Sequence, residues 1–463
     1  MKESKGILKL SEKIGFSLGD AASNIFFQSF ILFVPIFYTD VFGLSPAAIS
    51  IMFLVTKIWD AVNDPMMGVI ADRTNTRWGK FRPYILWFTI PFGLLGVLTF
   101  TTPNISIDGR LIYAYVTYTL LMMAYTVVNV PYSALMGVMT PHSDERTVLS
   151  QFRFIAAFIA TTILQLTFVL LVKKIGGSRT SPFGWQMTMG IFSAIAIVLL
   201  YLTFFTTKER VQPPKGQKTP LQQDLKDLFT NVPWVLIGIA SVFQLIYIVM
   251  RGGAIMYYFD YFVEVKEWNL PLIGKFPAVS IFMASGTIMT LTGVILSGII
   301  SRIFGKARTY AGLLGLAGIS TALFYFLTPT SVVMMFVLQI ITSFSVGPVS
   351  VLQWAIYTDT ADYSEWKKGR RATGLVMSAG LFSLKLGIAL GVSALTWILG
   401  AYGYIANQPQ TASGLLGVRM IMSVYPSIFA LVGMVFMFFY PLDKKMMIKI
   451  EEDLTARRQD NQS

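Results

Sequence analysis

The sequence contains no cysteine, which excludes disulfides and thiolate metal centres. Histidine occurs once, as His142 in the polar connection TPHSDERT, and reads as solvated loop surface rather than a proton relay. No G-x-x-x-x-G-K-[ST] phosphate loop is present, which argues against a pump driven by ATP. An intramembrane enzyme needs a nucleophile with its base or a metal constellation such as H-E-x-x-H. Neither is found, so no enzyme and no cofactor are expected. Charge is also scarce: Asp, Glu, Lys and Arg make up 13% of the 463 residues, against roughly 25% in soluble domains.

Apolar side chains fill the space, at 54% hydrophobic and 14% aromatic. A bilayer core takes roughly 20 apolar residues per helix. The chain offers twelve candidate spans, at about 14–41, 46–71, 83–102, 111–138, 148–172, 183–206, 233–263, 272–300, 307–328, 331–358, 374–401 and 414–440. The expected fold is therefore an all-α polytopic membrane protein. The charged start MKESKGILKLSEK runs into a full-length span without a cleavage site, so no removable signal peptide is expected.

Most of the 37 basic residues fall on one side of these spans. They include Lys2, Lys5, Lys9 and Lys13, the connection DRTNTRWGKFRP, the middle loop, and Lys367, Lys368, Arg370 and Arg371. That side is expected to be cytoplasmic, with both termini inside. The net charge of +13 then follows from topology and contact with lipid headgroups, and no nucleic-acid partner is implied. The longest polar interval, 207–232, divides the spans six and six. The expected organisation is an N-terminal half over 1–206, a loop over 207–232, a C-terminal half over 233–441 and a tail over 442–463. GVIADRTNTR after the second span and GIISRIFGKAR after the eighth form a weak internal repeat. Such repeats accompany a substrate site at mid-depth between two halves.

Within the second span, KIWDAVNDPMMG places Lys57, Asp60, Asp64 and Gly68 three or four residues apart, on one helical face. One such charge at the bilayer centre costs roughly 2.5–3.5 kcal/mol even on lenient insertion scales. This face must turn toward protein or water. Lys57 can neutralise one acid and leaves the other without a partner in its own helix, so a purely structural ion cluster is the weaker reading. Two ionised carboxylates one turn apart repel, which invites a cation or a proton. Asn63 adds an oxygen, and Pro65, having no N–H, is expected to free the carbonyl of Ala61, and an unwound carbonyl beside carboxylates is the kind of oxygen that Na⁺ takes.

WDAVNDPMMG with RTNTRWGKFRP, YTVVNVPYSAL in the fourth span and TDTADYSEWKKGRRATG after the tenth together resemble the glycoside, pentoside and hexuronide cation symporters. This is the melibiose permease family of the major facilitator superfamily, and the resemblance runs over nearly the whole chain. The first two hundred residues are similar to its xyloside carriers, and GYIANQPQT and FYPLDKK to its glucuronide carriers. The resemblance implies twelve helices and symport of a sugar with Na⁺, Li⁺ or H⁺. It implies a cation site at Asp60, Asn63, Asp64 and Thr126, all oxygen ligands suited to Na⁺. It places a sugar-binding acid at Asp20, an arginine at Arg153, and a lysine linking the two sites at Lys385. Where the family has a second sugar-binding acid and a tryptophan, this sequence has Asn129 and Ser133, which argues against melibiose as the sugar.

Arg251, in YIVMRGGAIMYYFDYF, is read either as a structural partner of Asp260 or as a cationic wall of the sugar site. Tyr125, Tyr132 and Trp354 are candidates to stack on sugar faces. The expected function is cation-coupled uptake of a glycoside, pentoside or glucuronide across a bacterial inner membrane, with a monomer sufficient. The alternative is a facilitator or a Na⁺-coupled lysolipid-type transporter.

Overall fold

The structure, a computed structural model, describes residues 8–140, 143–210, 229–270, 274–368 and 373–460. His142, Arg370, Arg371 and most of the middle loop lie outside the described residues, as do the side chains of Lys57, Pro65 and Asp72.

Helix α1 (Leu10–Leu32) continues through Val34–Ile36 into a π-helical turn, Phe37–Val41, after a 49° bend. There follow α2 (Pro46–Arg73), α3 (Arg82–Thr99), α4 (Ile107–Met139), α5 (Ser143–Gly176) and α6 (Pro182–Thr206). Then come α7 (Val232–Tyr257), a hairpin of β1 (Glu267–Leu270) and β2 (Gly274–Pro277), α8 (Ala278–Phe304), α9 (Lys306–Ala322), α10 (Val332–Lys368) and α11 (Thr373–Ala401). The last span is broken at Ser423 into α12 (Ala412–Met422) and α13 (Val424–Phe438), and α14 (Lys444–Asp460) follows. Among the described residues ten segments are long and apolar enough to cross a membrane, and the bent first helix makes an eleventh. Within α2 the stretch Pro46–Thr56 is apolar but shorter than a span among the described residues.

Local chemistry explains where the helices begin. Ser45, Ser106, Ser181, Asn231 and Thr411 each accept a backbone N–H three residues ahead, at 3.1–3.3 Å. Pro46, Pro182 and Pro233 then occupy first-turn positions, where a missing N–H costs nothing. Two expectations need correction. The eighth span starts at Ala278 rather than 272, because Gly274–Pro277 pairs antiparallel with Glu267–Leu270. The backbone stays helical across Pro65, so the segment is not unwound there, although proline, lacking an N–H, still gives the Ala61 carbonyl no donor four residues on.

The chain divides into two compact units: Met1–Lys215 with Lys266–Ala284 and Ile405–Pro409, and Gly216–Val265 with Ser285–Tyr404 and Gln410–Ser463. In the first, α1 packs on α5 and α6, α3 on α4 and α6, and α2 on α4. In the second, α7 packs on α11 and α13, and α9 on α10 and α13. The same pairings thus recur after a shift of six spans.

One further pairing in the second unit depends on glycine. A Cβ on Gly347 of α10 would lie 2.3 Å from the Thr290 carbonyl oxygen of α8, and one on Gly293 would lie 2.2 Å from the Phe344 oxygen. Small residues let membrane helices approach closely and gain dispersion contacts. Gly347→Val should therefore push the helices apart, costing roughly 1–3 kcal/mol or more by overpacking. Gly298→Ala, on α8 with nothing within 4 Å, should be neutral. Thermal unfolding in detergent separates the two, and equal midpoints would dismiss the close approach.

In the first unit, Glu209 at the end of the sixth span accepts the backbone N–H groups of Lys80, Phe81 and Arg82 at 2.9, 2.8 and 3.1 Å. It thereby caps α3 with a full negative charge. A Cβ on Gly79, whose φ is +109°, would sit 2.4 Å from the carboxyl carbon of Glu209. The next residue, Arg210, binds Glu12 at 2.6 Å and donates its own N–H to the Val138 carbonyl at 2.8 Å. Glu209→Gln keeps the shape and removes the charge. It should lower stability by roughly 1–3 kcal/mol, read as an earlier unfolding midpoint. An unchanged midpoint would show that solvent replaces the cap.

Candidate functional site

The candidate site residues of the first unit fall into two clusters. In one, the Thr126 hydroxyl of α4 donates to Asp64 Oδ1 of α2 at 2.8 Å. Asp60 and Asn63 are buried beside it, at 3% and 9% exposure, while Asp64 is half-buried. The helical period sets Asp60 and Asp64 about 5.4 Å apart along the axis. Sequence spacing alone made α2 a charged face; the packing of α4 on α2 adds a hydroxyl to it. Four hard oxygen donors thus stand on two adjacent helices: two carboxylates, an amide and a hydroxyl. Oxygen sets of this kind suit an alkali cation, and two close carboxylates equally suit a shared proton.

The second cluster joins α1 and α5. Arg153 Nη2 donates to Asp20 Oδ1 at 3.1 Å, with both side chains about one-fifth exposed (22% and 17%). The guanidinium stands 5.1 Å from the ring centre of Tyr132 and 5.7 Å from that of Phe16. Those rings stack at 4.8 Å, and the Tyr132 hydroxyl donates to the Phe16 carbonyl at 2.7 Å. Gly19 makes room for this shelf, since a Cβ there would meet the Tyr132 ring at 2.5 Å. Tyr132 is fully buried and therefore backs Arg153 rather than offering a face to a ligand. Sequence reasoning did not reach Phe16 or Gly19 as parts of this site; the available signal was a glycine directly before an intramembrane aspartate.

Tyr125 lies between the clusters, within electrostatic reach of Asp20, Asp60 and Arg153, and is flanked by Phe27, Phe30 and Phe92. One turn on, Asn129 donates to the Tyr125 carbonyl at 3.0 Å, which fixes its amide on the same half-buried stretch of α4. The first unit thus holds Asp20, Asp60, Asn63, Asp64, Tyr125, Thr126, Asn129 and Arg153 on α1, α2, α4 and α5.

A sequence-family model described as "MFS/sugar transport protein" matches residues 15–444. The chain belongs to this family. It is 36% identical to the inner membrane symporter YicJ of Escherichia coli (strain K12), covering 91% of this chain and 89% of that protein. It is 34% identical to the isoprimeverose transporter of Lactiplantibacillus pentosus, covering 97% and 92%. Among solved structures, the crystal structure of a D-xylose–proton symporter superposes with a TM-score of 0.65 at 13% identity, over 94% of this chain and 98% of that one. At that identity the likeness shows the fold alone, which is the twelve-helix major facilitator fold. As a family member the chain is a multi-pass membrane transporter and not an enzyme.

The other predicted residues of this sugar-transport-family chain lie in the second unit. Arg251 of α7 is 7% exposed and donates to the amide oxygen of Gln339 on α10 at 2.7 Å, with the Phe324 ring 5.2 Å away. Of the two readings of Arg251, the pairing with Asp260 is not the one formed: its guanidinium goes to Gln339. Gly286 leaves room for Gln339, whose amide nitrogen a Cβ there would meet at 2.3 Å. Trp354, half-buried on α10, stands 5.9 Å from Tyr357 and packs against the unit's hydrophobic core. Lys385 is half-buried at mid-length of α11.

Proposed function

We propose that this protein carries a neutral glycoside or pentoside inward together with Na⁺ or H⁺, by alternating access across a bacterial inner membrane with both termini cytoplasmic. The observation that supports it most is the Asp64–Thr126 hydrogen bond beside buried Asp60 and Asn63. Polar oxygens gathered within the apolar span of a family member are costly to keep unless an ion or proton uses them. In this reading Asp60, Asn63, Asp64 and Thr126 hold the cation. Asp20 and Arg153 grip sugar hydroxyls, with Asn129 and Tyr125 alongside. A neutral sugar is favoured over a glucuronide for two reasons: the Arg153 charge is already matched by Asp20, and Arg251 is buried against Gln339. Lys385 is the proposed link that makes each site sense occupancy of the other.

The test is uptake of a radiolabelled panel of pentosides, hexosides and glucuronides into vesicles, with and without Na⁺ and with and without a pH gradient. Accumulation of a neutral glycoside only in the presence of one cation gradient is expected. Equilibration without accumulation under every gradient makes the protein a facilitator, and transport of glucuronide alone reverses the choice of substrate. In the same assay Lys385→Val should equilibrate sugar but not concentrate it. Concentration restored in the Lys385→Val, Asp60→Asn double variant would reassign Lys385 to charge compensation.

A further inference from the structure

A cavity of about 690 Å³ opens in the second unit, where the junction of α8 and α9 meets the end of α13 and the start of α14. It lies far along the sequence from every residue placed in transport, and its chemistry is different. Its lining carries four cations, Lys306, Arg308, Lys444 and Lys445, against one carboxylate, Asp443. Asp443 is occupied: its Oδ1 accepts the Met446 N–H at 2.8 Å and caps α14. Lys306 is held by both oxygens of Asp359, at 2.7 and 2.8 Å, and Lys444 leans on the Arg302 carbonyl at 3.3 Å. Arg308 and Lys445 are exposed and make no hydrogen bond or ion pair among the described residues.

Two more features of the lining fit an anion. Helix α9 starts here, its N-cap being Gly305 (φ +83°), which has no side chain to satisfy the first-turn amides. Tyr440, only 9% exposed, also lines the cavity, and its hydroxyl has no partner among the described residues. Beside the cations stand Ile303, Phe304 and Phe438, lining the same cavity and 62–76% exposed. Phosphate alone would leave that apolar flank bare. A phospholipid covers it with its acyl chains while its phosphate meets the cations.

We propose that this cavity binds the headgroup of an anionic phospholipid, with Arg308 and Lys445 as the unneutralised cations that select it. Basic pockets between spans on the side of the basic loops commonly take such headgroups.

The experiment uses the full-length protein, delipidated in detergent and titrated with phosphatidylglycerol, phosphatidylcholine or inorganic phosphate, with bound lipid read by native mass spectrometry. Wild type should retain phosphatidylglycerol and little phosphatidylcholine, and should be stabilised thermally only by the former. Millimolar phosphate should not displace the lipid. The double variant Arg308→Gln, Lys445→Gln should bind phosphatidylglycerol roughly tenfold more weakly. Lys174→Gln, an exposed change at the end of α5, should leave binding unaltered. Equal retention of both lipids by wild type, or undiminished binding by the double variant, overturns the proposal. Displacement by phosphate overturns it in favour of a small-anion site. The wild-type comparison of lipids stands even if the variant proves unstable.

Discussion

Asp64→Asn should reduce uptake against a gradient to background while leaving sugar binding and downhill exchange measurable. The amide is nearly isosteric with the carboxylate, and its oxygen can still accept the Thr126 hydroxyl, whose bond to Asp64 is 2.8 Å. Packing of α2 on α4 is therefore preserved, and only the negative charge is lost. Without that charge the remaining donors, Asp60, Asn63 and Thr126, attract a cation with one formal charge instead of two. Thr126→Ala removes a single hydrogen bond to a charged group, worth roughly 1.5–3 kcal/mol. It should weaken cation activation by about tenfold to a hundredfold without abolishing it. Vesicle uptake with a monodisperse, folded variant decides the matter. Full accumulation by Asp64→Asn would remove Asp64 from the cation site and leave α2's charges with a packing role.

The second large effect is expected at Asp20 and Arg153. They are 133 residues apart in sequence and meet at 3.1 Å over the Phe16–Tyr132 shelf. Each has a predicted double duty: it neutralises the other and it offers charge-assisted hydrogen bonds to sugar hydroxyls. Asp20→Asn or Arg153→Gln should weaken sugar affinity by roughly 1.5–3 kcal/mol, measured by titration calorimetry in the presence of the coupling cation. Because the two groups are in contact, the losses should not add in the double variant. A merely structural pair behaves differently: each single change lowers the unfolding midpoint, the double change restores it, and sugar affinity stays put. That pattern would falsify the sugar-site assignment while sparing the cation site.

Much of this architecture was legible before any coordinates. Runs of about 20 apolar residues placed the helices. The spacing of Asp60 and Asp64 put both on one face of α2, since a helix repeats every 3.6 residues. The hairpin at Glu267–Pro277 was not legible: its second strand, Gly274–Pro277, is four residues long and runs straight into apolar α8, so hydropathy gave it to the eighth span, while Glu267–Leu270 fell in the interval between spans. Nor could proline chemistry alone foretell that α2 continues unbroken through Pro65.

What the sequence determined by itself is therefore the setting and the cast: a membrane protein by composition, intramembrane charges by position, and a family by motif. Only the tertiary structure decided which of those charges face one another. Thr126 reaches Asp64 across 62 residues of chain, Arg153 reaches Asp20 across 133, and Arg251 turns to Gln339, 88 residues on, rather than to nearby Asp260. Local periodicity orients a side chain about its own helix axis. The choice of neighbouring helix depends on which faces pack with least void and fewest unmatched charges, a condition satisfied by the whole bundle and not encoded in any one stretch of it.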